Sequence, residues 1–297
     1  MDLGRIATAM ITPFNEDGID YETVERIIEH LIANGTDTIV VCGTTGESPT
    51  ISEEDKLKLI DFTVKKVNKR IPVIAGTGDN ETEFSIELTK KAENLGVDGV
   101  MLVAPYYNKP NQRGIFAHFE AIAKSTTLPI IIYNIPGRTG INILPQTIVS
   151  LSKLPNVRIV KEASGNLDQM TEILANVSED TYVYSGDDGL TLPLLAIGGR
   201  GVISVAAHVV GNEMQAMIRA FEEGRHQEAA QIHQALLPLV QQLFANPNPV
   251  PVKYAMSKFG FNVEKVRLPL VELMDEDKVK FDQVWNEFQE KMKKANV

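Results

Sequence analysis

The sequence predicts an α/β fold, a (β/α)8 TIM barrel followed by a C-terminal helical extension. Three observations carry this. Eight short, almost wholly apolar runs of β type recur with starts 20 to 35 residues apart. Helical periodicity fills the gaps between them. After the eighth run only helical stretches remain. Unbroken apolar strands are what a parallel sheet buried on both faces requires, and regular strand–helix alternation closes into a barrel. A doubly wound open sheet is the rival, but it seldom contains eight such even units.

The strand runs are 6–11, 37–41, 72–75, 99–103, 129–133, 157–161, 181–185 and 201–205. Among the intervening helices, Leu57, Ile60, Val64 and Val67 form one stripe, opened by Ser52 with Asp55 three residues on. Ile86, Leu88, Ala92 and Leu95 form a second, closed by Gly96. Phe116, Phe119, Ile122 and Ala123 form a third. Pro145 suits a first helical turn and Asn166 an N-cap. Gly224 marks a break. The expected division is therefore a barrel over 1–224 that carries the active site and a helical segment over 225–297. Helices are expected near 225–244, 252–259 and 275–294, with the proline-rich stretch 246–251 outside any helix.

Composition narrows the function classes. The 297 residues are 43% hydrophobic and 23% charged, an ordinary globular balance. The net charge of −10 is spread without a run of five like charges, and no basic patch is available for nucleic-acid phosphates. No apolar run approaches the ~20 residues of a membrane span, and the first residues do not read as a signal peptide. Cys42 is the single cysteine, so no disulfide can form within the chain. A cytoplasmic protein without nucleic-acid or membrane partners is the expectation.

Chemistry gathers where strands end. A lysine closing an apolar strand, Lys161, costs several kcal/mol to bury charged. At its reference pKa only about 0.04% is neutral at pH 7, and a drop of ~3 units makes about 30% neutral, the form that attacks a carbonyl to give a Schiff base. Tyr133 is the fifth residue of the preceding run, as Lys161 is of its own, so both point inward at similar height. A phenol beside an amine can pass protons during imine formation. Glycines 43 and 46 flank Thr44 and Thr45, where close backbone approach lets successive amides face a carboxylate. Arg138, in a Pro-Gly turn at the same rim, offers a fork for a second carboxylate. The five histidines (30, 118, 208, 226 and 233) lack metal-ligand spacing. Cys42 reads as a small buried residue, and Asp187 and Asp188 as a helix start rather than a divalent-ion site. The Gly198-Gly199-Arg200-Gly201 run precedes the eighth strand, on the wrong face for substrate phosphate.

Together Gly43-Thr44-Thr45-Gly46-Glu47, Tyr133-Asn134-Ile135-Pro136 and Lys161-Glu162-Ala163 resemble, along essentially the whole chain, the dihydrodipicolinate synthase and N-acetylneuraminate lyase superfamily of class I aldolase barrels. Arg138 looks like the synthase branch. The resemblance implies that Lys161 forms the imine with pyruvate, that Thr44, Tyr133 and Tyr107 relay protons, and that Tyr107 crosses a tight dimer interface. It also implies that Thr45 helps to bind the pyruvate carboxylate, that Gly186 and Ile203 line the pocket, and that Arg138 holds aspartate semialdehyde. The reaction implied is condensation of pyruvate with L-aspartate-4-semialdehyde to 4-hydroxy-tetrahydrodipicolinate, on the diaminopimelate and lysine pathway. It needs no metal or organic cofactor, and the chain is expected as a homodimer or homotetramer. Lysine-inhibited members bind lysine at that interface. Ser48, Asn80 and Tyr106 match positions there, whereas Glu53, Lys56 and Phe84 do not, so weak or absent feedback is expected. Two readings stand against this one: another pyruvate-imine enzyme, such as a 2-keto-3-deoxy sugar acid aldolase or sialic acid lyase, and a non-catalytic barrel that binds a small acid.

Overall fold

The computed structural model describes residues 1–295. Eight parallel strands, β1 (Ile6–Ala9), β2 (Thr38–Val41), β3 (Val73–Gly76), β4 (Gly99–Val103), β5 (Ile130–Asn134), β6 (Val157–Glu162), β7 (Tyr182–Ser185) and β8 (Gly201–Ser204), pair in chain order. Pairing of β1 with β8 closes the barrel. The helices are α1 (Tyr21–Ala33), α2 (Glu53–Val67), α3 (Thr82–Asn94), α4 (Gln112–Ser125), α5 (Pro136–Thr139), α6 (Pro145–Leu151), α7 (Leu167–Asn176), α8 (Thr191–Ala196), α9 (Ala207–Glu222), α10 (His226–Leu243), α11 (Val250–Met256) and α12 (Asp275–Ala295).

Strand alternation feeds two cores. Ala7, Val40, Ile74, Met101, Ile131, Ile159, Tyr184 and Ile203 point into the barrel. Ile6, Ile39, Val73, Val100, Ile132, Val160 and Val202 point outward to the helices. The inner layers fill the barrel as packed side chains, leaving chemistry to the carboxyl rim. Ser52 accepts from Asp55 N at 3.1 Å and Asn166 from Gln169 N at 3.1 Å, so both caps form as the sequence predicts. Pro145 opens α6.

Two details differ from expectation. In α2 the buried face is Leu59, Ile60, Thr63 and Val67, with Leu57 and Val64 at its flanks. The stripe is rotated because Thr63, polar in sequence, donates to its own backbone at Leu59 O and so fits the interior. Second, the stretch 246–251 is not wholly outside helix. Val250 and Pro251 begin α11, where proline's missing N–H costs nothing. In the loop after β2, Gly43 and Gly46 do not take the left-handed conformation. Their outer neighbours do, Cys42 at φ 57° and Glu47 at φ 56°. Gly46 sits in tight quarters, where a Cβ would crowd Met10 O at 3.1 Å.

The C-terminal helices pack on the barrel, α10 against α9 and α12, and α11 against α9. Among the described residues no helix is long and apolar enough to cross a membrane.

Candidate active site

At the carboxyl rim the Tyr133–Lys161 register expected from counting is realised: the two are paired partners across β5 and β6. Hydrogen-bonded strands set that spacing, so it does not depend on loops. Lys161 is 5% exposed and its Nζ lies 4.1 Å from the Tyr133 ring centre. The amine thus sits over the ring face and not on the hydroxyl. Burial pulls its pKa from the ordinary 10.5 down to about 7; Asp188 opposes the fall and Arg138 adds to it. About half the amine is therefore neutral near pH 7. Burial drives the Tyr133 hydroxyl well above its ordinary range, and Arg138 opposes this slightly, so the phenol stays protonated and able to donate.

Lys161 and Tyr133 line a cavity of about 500 Å³, together with Thr44, Thr45, Arg138, Gly186 and Asp187. A Cβ at Gly186 would come within 3.1 Å of Lys161 Cε and 2.7 Å of Ala163 Cβ. The missing side chain is thus what lets the lysine stem extend. Asp188 is not in the cavity. It is buried beneath it, accepting from Val205 N at 3.0 Å, from Ala206 N at 3.1 Å and from Ser204 Oγ. Asp187 caps its own turn by accepting from Gly189 N at 2.9 Å. Both aspartates therefore act as turn and helix starters, and the described residues contain no metal-binding cluster.

In the loop after β2, Gly46 N and Ser48 N donate back to Gly43 O, and Glu47 N to Thr44 O. The Thr44 and Thr45 amides donate to no protein acceptor among the described residues. Two successive free N–H groups at the cavity wall can receive a carboxylate. Thr45 is buried and its hydroxyl accepts from Asn248 Nδ2 at 3.0 Å.

A second cavity, of about 240 Å³, shares Thr44, Tyr133 and Arg138 with the first and opens towards Ser48, Lys56 and Tyr106. Arg138, in the one-turn helix α5, is exposed and reaches both spaces. Tyr106 donates to Asp79 at 3.0 Å, and burial, helped by Asp79, pushes its hydroxyl up to about 12. Asn80 holds the Tyr106 carbonyl at 3.1 Å. Phe84 is half-buried and Glu53 pairs with Lys91.

Two predicted residues stand apart from the cavity within one chain. Tyr107 is 87% exposed, with a left-handed backbone at φ 69°. Ile203 is buried in the inner core. Sequence reasoning missed the wall from the C-terminal segment: Leu237, Val240, Gln241, Phe244 and Asn248. Asn248 carried one local signal, an amide between two prolines in a stretch that cannot form a regular helix.

A rim cavity that holds a half-neutral amine beside a protonated phenol and two free amides is what an imine-forming barrel enzyme requires. The chain belongs to the dihydrodipicolinate synthetase family, whose model matches residues 2–287. It is 55% identical over 288 residues to the 4-hydroxy-tetrahydrodipicolinate synthase of Bacillus velezensis, covering 97% of this chain and 100% of that protein. A dihydrodipicolinate synthase structure from Bacillus anthracis superposes with a TM-score of 0.95 at 52% identity, over 96% of this chain and 98% of that one. The enzyme from Cyanidioschyzon merolae, solved with lysine bound, gives 0.94 at 45% identity, over 97% and 98%.

Proposed function

We propose that this chain is a 4-hydroxy-tetrahydrodipicolinate synthase, joining pyruvate to L-aspartate-4-semialdehyde through an imine on Lys161. The observation that carries this is the Lys161 amine, buried at the rim with a pKa of about 7. The Thr44 and Thr45 amides receive the pyruvate carboxylate. The neutral amine attacks the ketone carbon, and loss of water leaves the imine, with the Tyr133 hydroxyl supplying and recovering protons. A methyl proton then leaves and the protonated imine takes up the electron pair, giving an enamine. Its carbon bonds to the aldehyde carbon, whose oxygen gains a proton. The semialdehyde's own amine next adds to the imine carbon and displaces Lys161, closing the ring and restoring the free lysine.

Arg138 faces the incoming semialdehyde, where its fork suits the second carboxylate. Gly186 leaves room for the lysine stem, and Ile203 supports the pocket from the inner core. Tyr107, turned outward, completes the proton path of a neighbouring copy, so the working form is a homodimer or a homotetramer in the cytoplasm. Pyruvate with borohydride, followed by intact mass, is the test. One pyruvate-derived secondary amine per chain is expected on Lys161; absence of any adduct contradicts the proposal. Consumption of the semialdehyde, without cleavage of sugar acids, separates it from the other pyruvate-imine enzymes.

A further inference from the structure

The loop that carries Thr44 and Thr45 is anchored from behind by a distant part of the chain. Glu47 turns its carboxylate into the protein wall and lines neither cavity. There Oε1 lies 2.5 Å from Nζ of Lys253, and both side chains are sealed from solvent. Oε2 accepts from Arg267 N at 2.9 Å. The Lys253 amine also donates to Lys265 O at 2.7 Å and lies 4.5 Å from the Phe14 ring centre. Arg267 Nη1 donates to Thr50 O at 2.8 Å, at the far end of the same loop. Asn248 Nδ2 holds the Thr45 hydroxyl.

A buried ion pair is weak support for stability, because desolvation can exceed the attraction gained. A non-glycine residue held left-handed, as Glu47 is at φ 56°, persists only where its surroundings over-determine it. Both features sit two and three residues from the free amides, where small displacements matter most to binding.

We propose that Glu47 and Lys253 are a positioning pair that aims the Thr44 and Thr45 amides at the substrate carboxylate. This rests on the reading of those amides as the pyruvate carboxylate site. Neither residue reaches the reacting atoms, so breaking the pair weakens capture of a carboxylate-bearing ketone while Lys161 stays reactive.

The test compares borohydride trapping of pyruvate with that of hydroxyacetone, a small ketone lacking the carboxylate. Full-length wild type, Lys253→Met and Glu47→Gln are titrated with each. Glu47→Gln keeps the shape and the acceptor for Arg267 N, so it guards against a Lys253→Met chain that does not fold. The expected result is a rise of about tenfold in half-saturation for pyruvate in the variants, with hydroxyacetone trapping unchanged. The double variant should lose no more than the worse single, as members of one unit do. Pyruvate half-saturation within about twofold of wild type in folded Glu47→Gln overturns the assignment. So does an equal loss for both ketones, or failure of both variants to fold by circular dichroism, since each makes the pair merely structural. Absence of pyruvate trapping in the wild type would instead remove the imine reading, and this inference with it.

Discussion

Lys161 and Lys253 are both shut away from solvent, at 5% and 0% exposure, yet they meet opposite surroundings. Lys253 has a carboxylate 2.5 Å away and a carbonyl at 2.7 Å. Burial draws its amine below the ordinary value, and Glu47 opposes the fall without cancelling it. Lys161 has an aromatic face at 4.1 Å and a carboxylate, Asp188, that acts only at a distance. The lesson is that burial alone does not make a lysine reactive. Burial without a paired anion does, because the proton is then the cheapest thing to lose.

The largest break in this comparison comes from Lys161→Ala. Condensation should fall about 10⁴-fold or more, the scale on which a covalent catalyst is lost, and borohydride should trap no pyruvate; stoichiometric trapping would remove Lys161 from the role. The companion Lys161→Met should stabilise the fold at pH 7, by up to about 4 kcal/mol, since an amine with a depressed pKa burdens the folded state. The sign is checkable. The burden is full below pH 7 and fades as pH rises towards 10.5, so the difference between the two denaturation curves should shrink over that window.

Next comes Lys253→Met, which leaves the Glu47 charge buried alone. Denaturant titration should show a loss of about 3–5 kcal/mol. The two buried lysines thus respond to the same substitution with opposite signs, and a matching sign would undo the contrast.

Arg138→Ala is smaller. Loss of a charge-assisted contact should raise the semialdehyde KM by about 10- to 100-fold, with pyruvate trapping far less affected. Equal damage to both would move Arg138 out of the second substrate's site. The pH profile sharpens the picture further. Trapping should rise about tenfold per pH unit up to pH 7 and level off above about pH 8, as the neutral amine saturates. Asp188→Asn should shift the midpoint lower, because Asp188 holds the proton on Lys161. The smallest effect is expected from lysine itself. The resemblance places Phe84 and Lys56 near the lysine site of inhibited relatives, and neither offers a carboxylate to an ammonium ligand, so sub-millimolar lysine should leave the rate unchanged. Half-inhibition in that range would contradict the reading.

The barrel was legible because a parallel strand buried on both faces writes itself as an apolar run, and eight such runs need no long-range knowledge to count. The Tyr133–Lys161 pairing was legible for the same reason: strand period fixes direction, and equal position gives equal height. What stayed hidden depends on contacts between distant segments. Nothing near Thr45 announces Asn248, 203 residues on. Lys253 did carry a mark, a lone charge within the apolar run Val250–Met256, but no local rule names Glu47 as its partner. The α2 face slipped because a threonine that satisfies its own hydroxyl counts as polar in a pattern and as apolar in a core. The glycine loop was legible as a place of close backbone approach, and Gly46 does lie hard against the Met10 carbonyl.

The tie between the loop after β2 and residues 248–267 also bears on synthesis. Chains emerge from the ribosome N-terminal end first, so Lys161 and all eight strands are made before the segment proposed to brace the carboxylate seat. A chain halted or clipped shortly before residue 248 would carry the nucleophile on a slack seat. On the proposed reading, tight capture of a keto acid is therefore the last property of the site to be completed during synthesis.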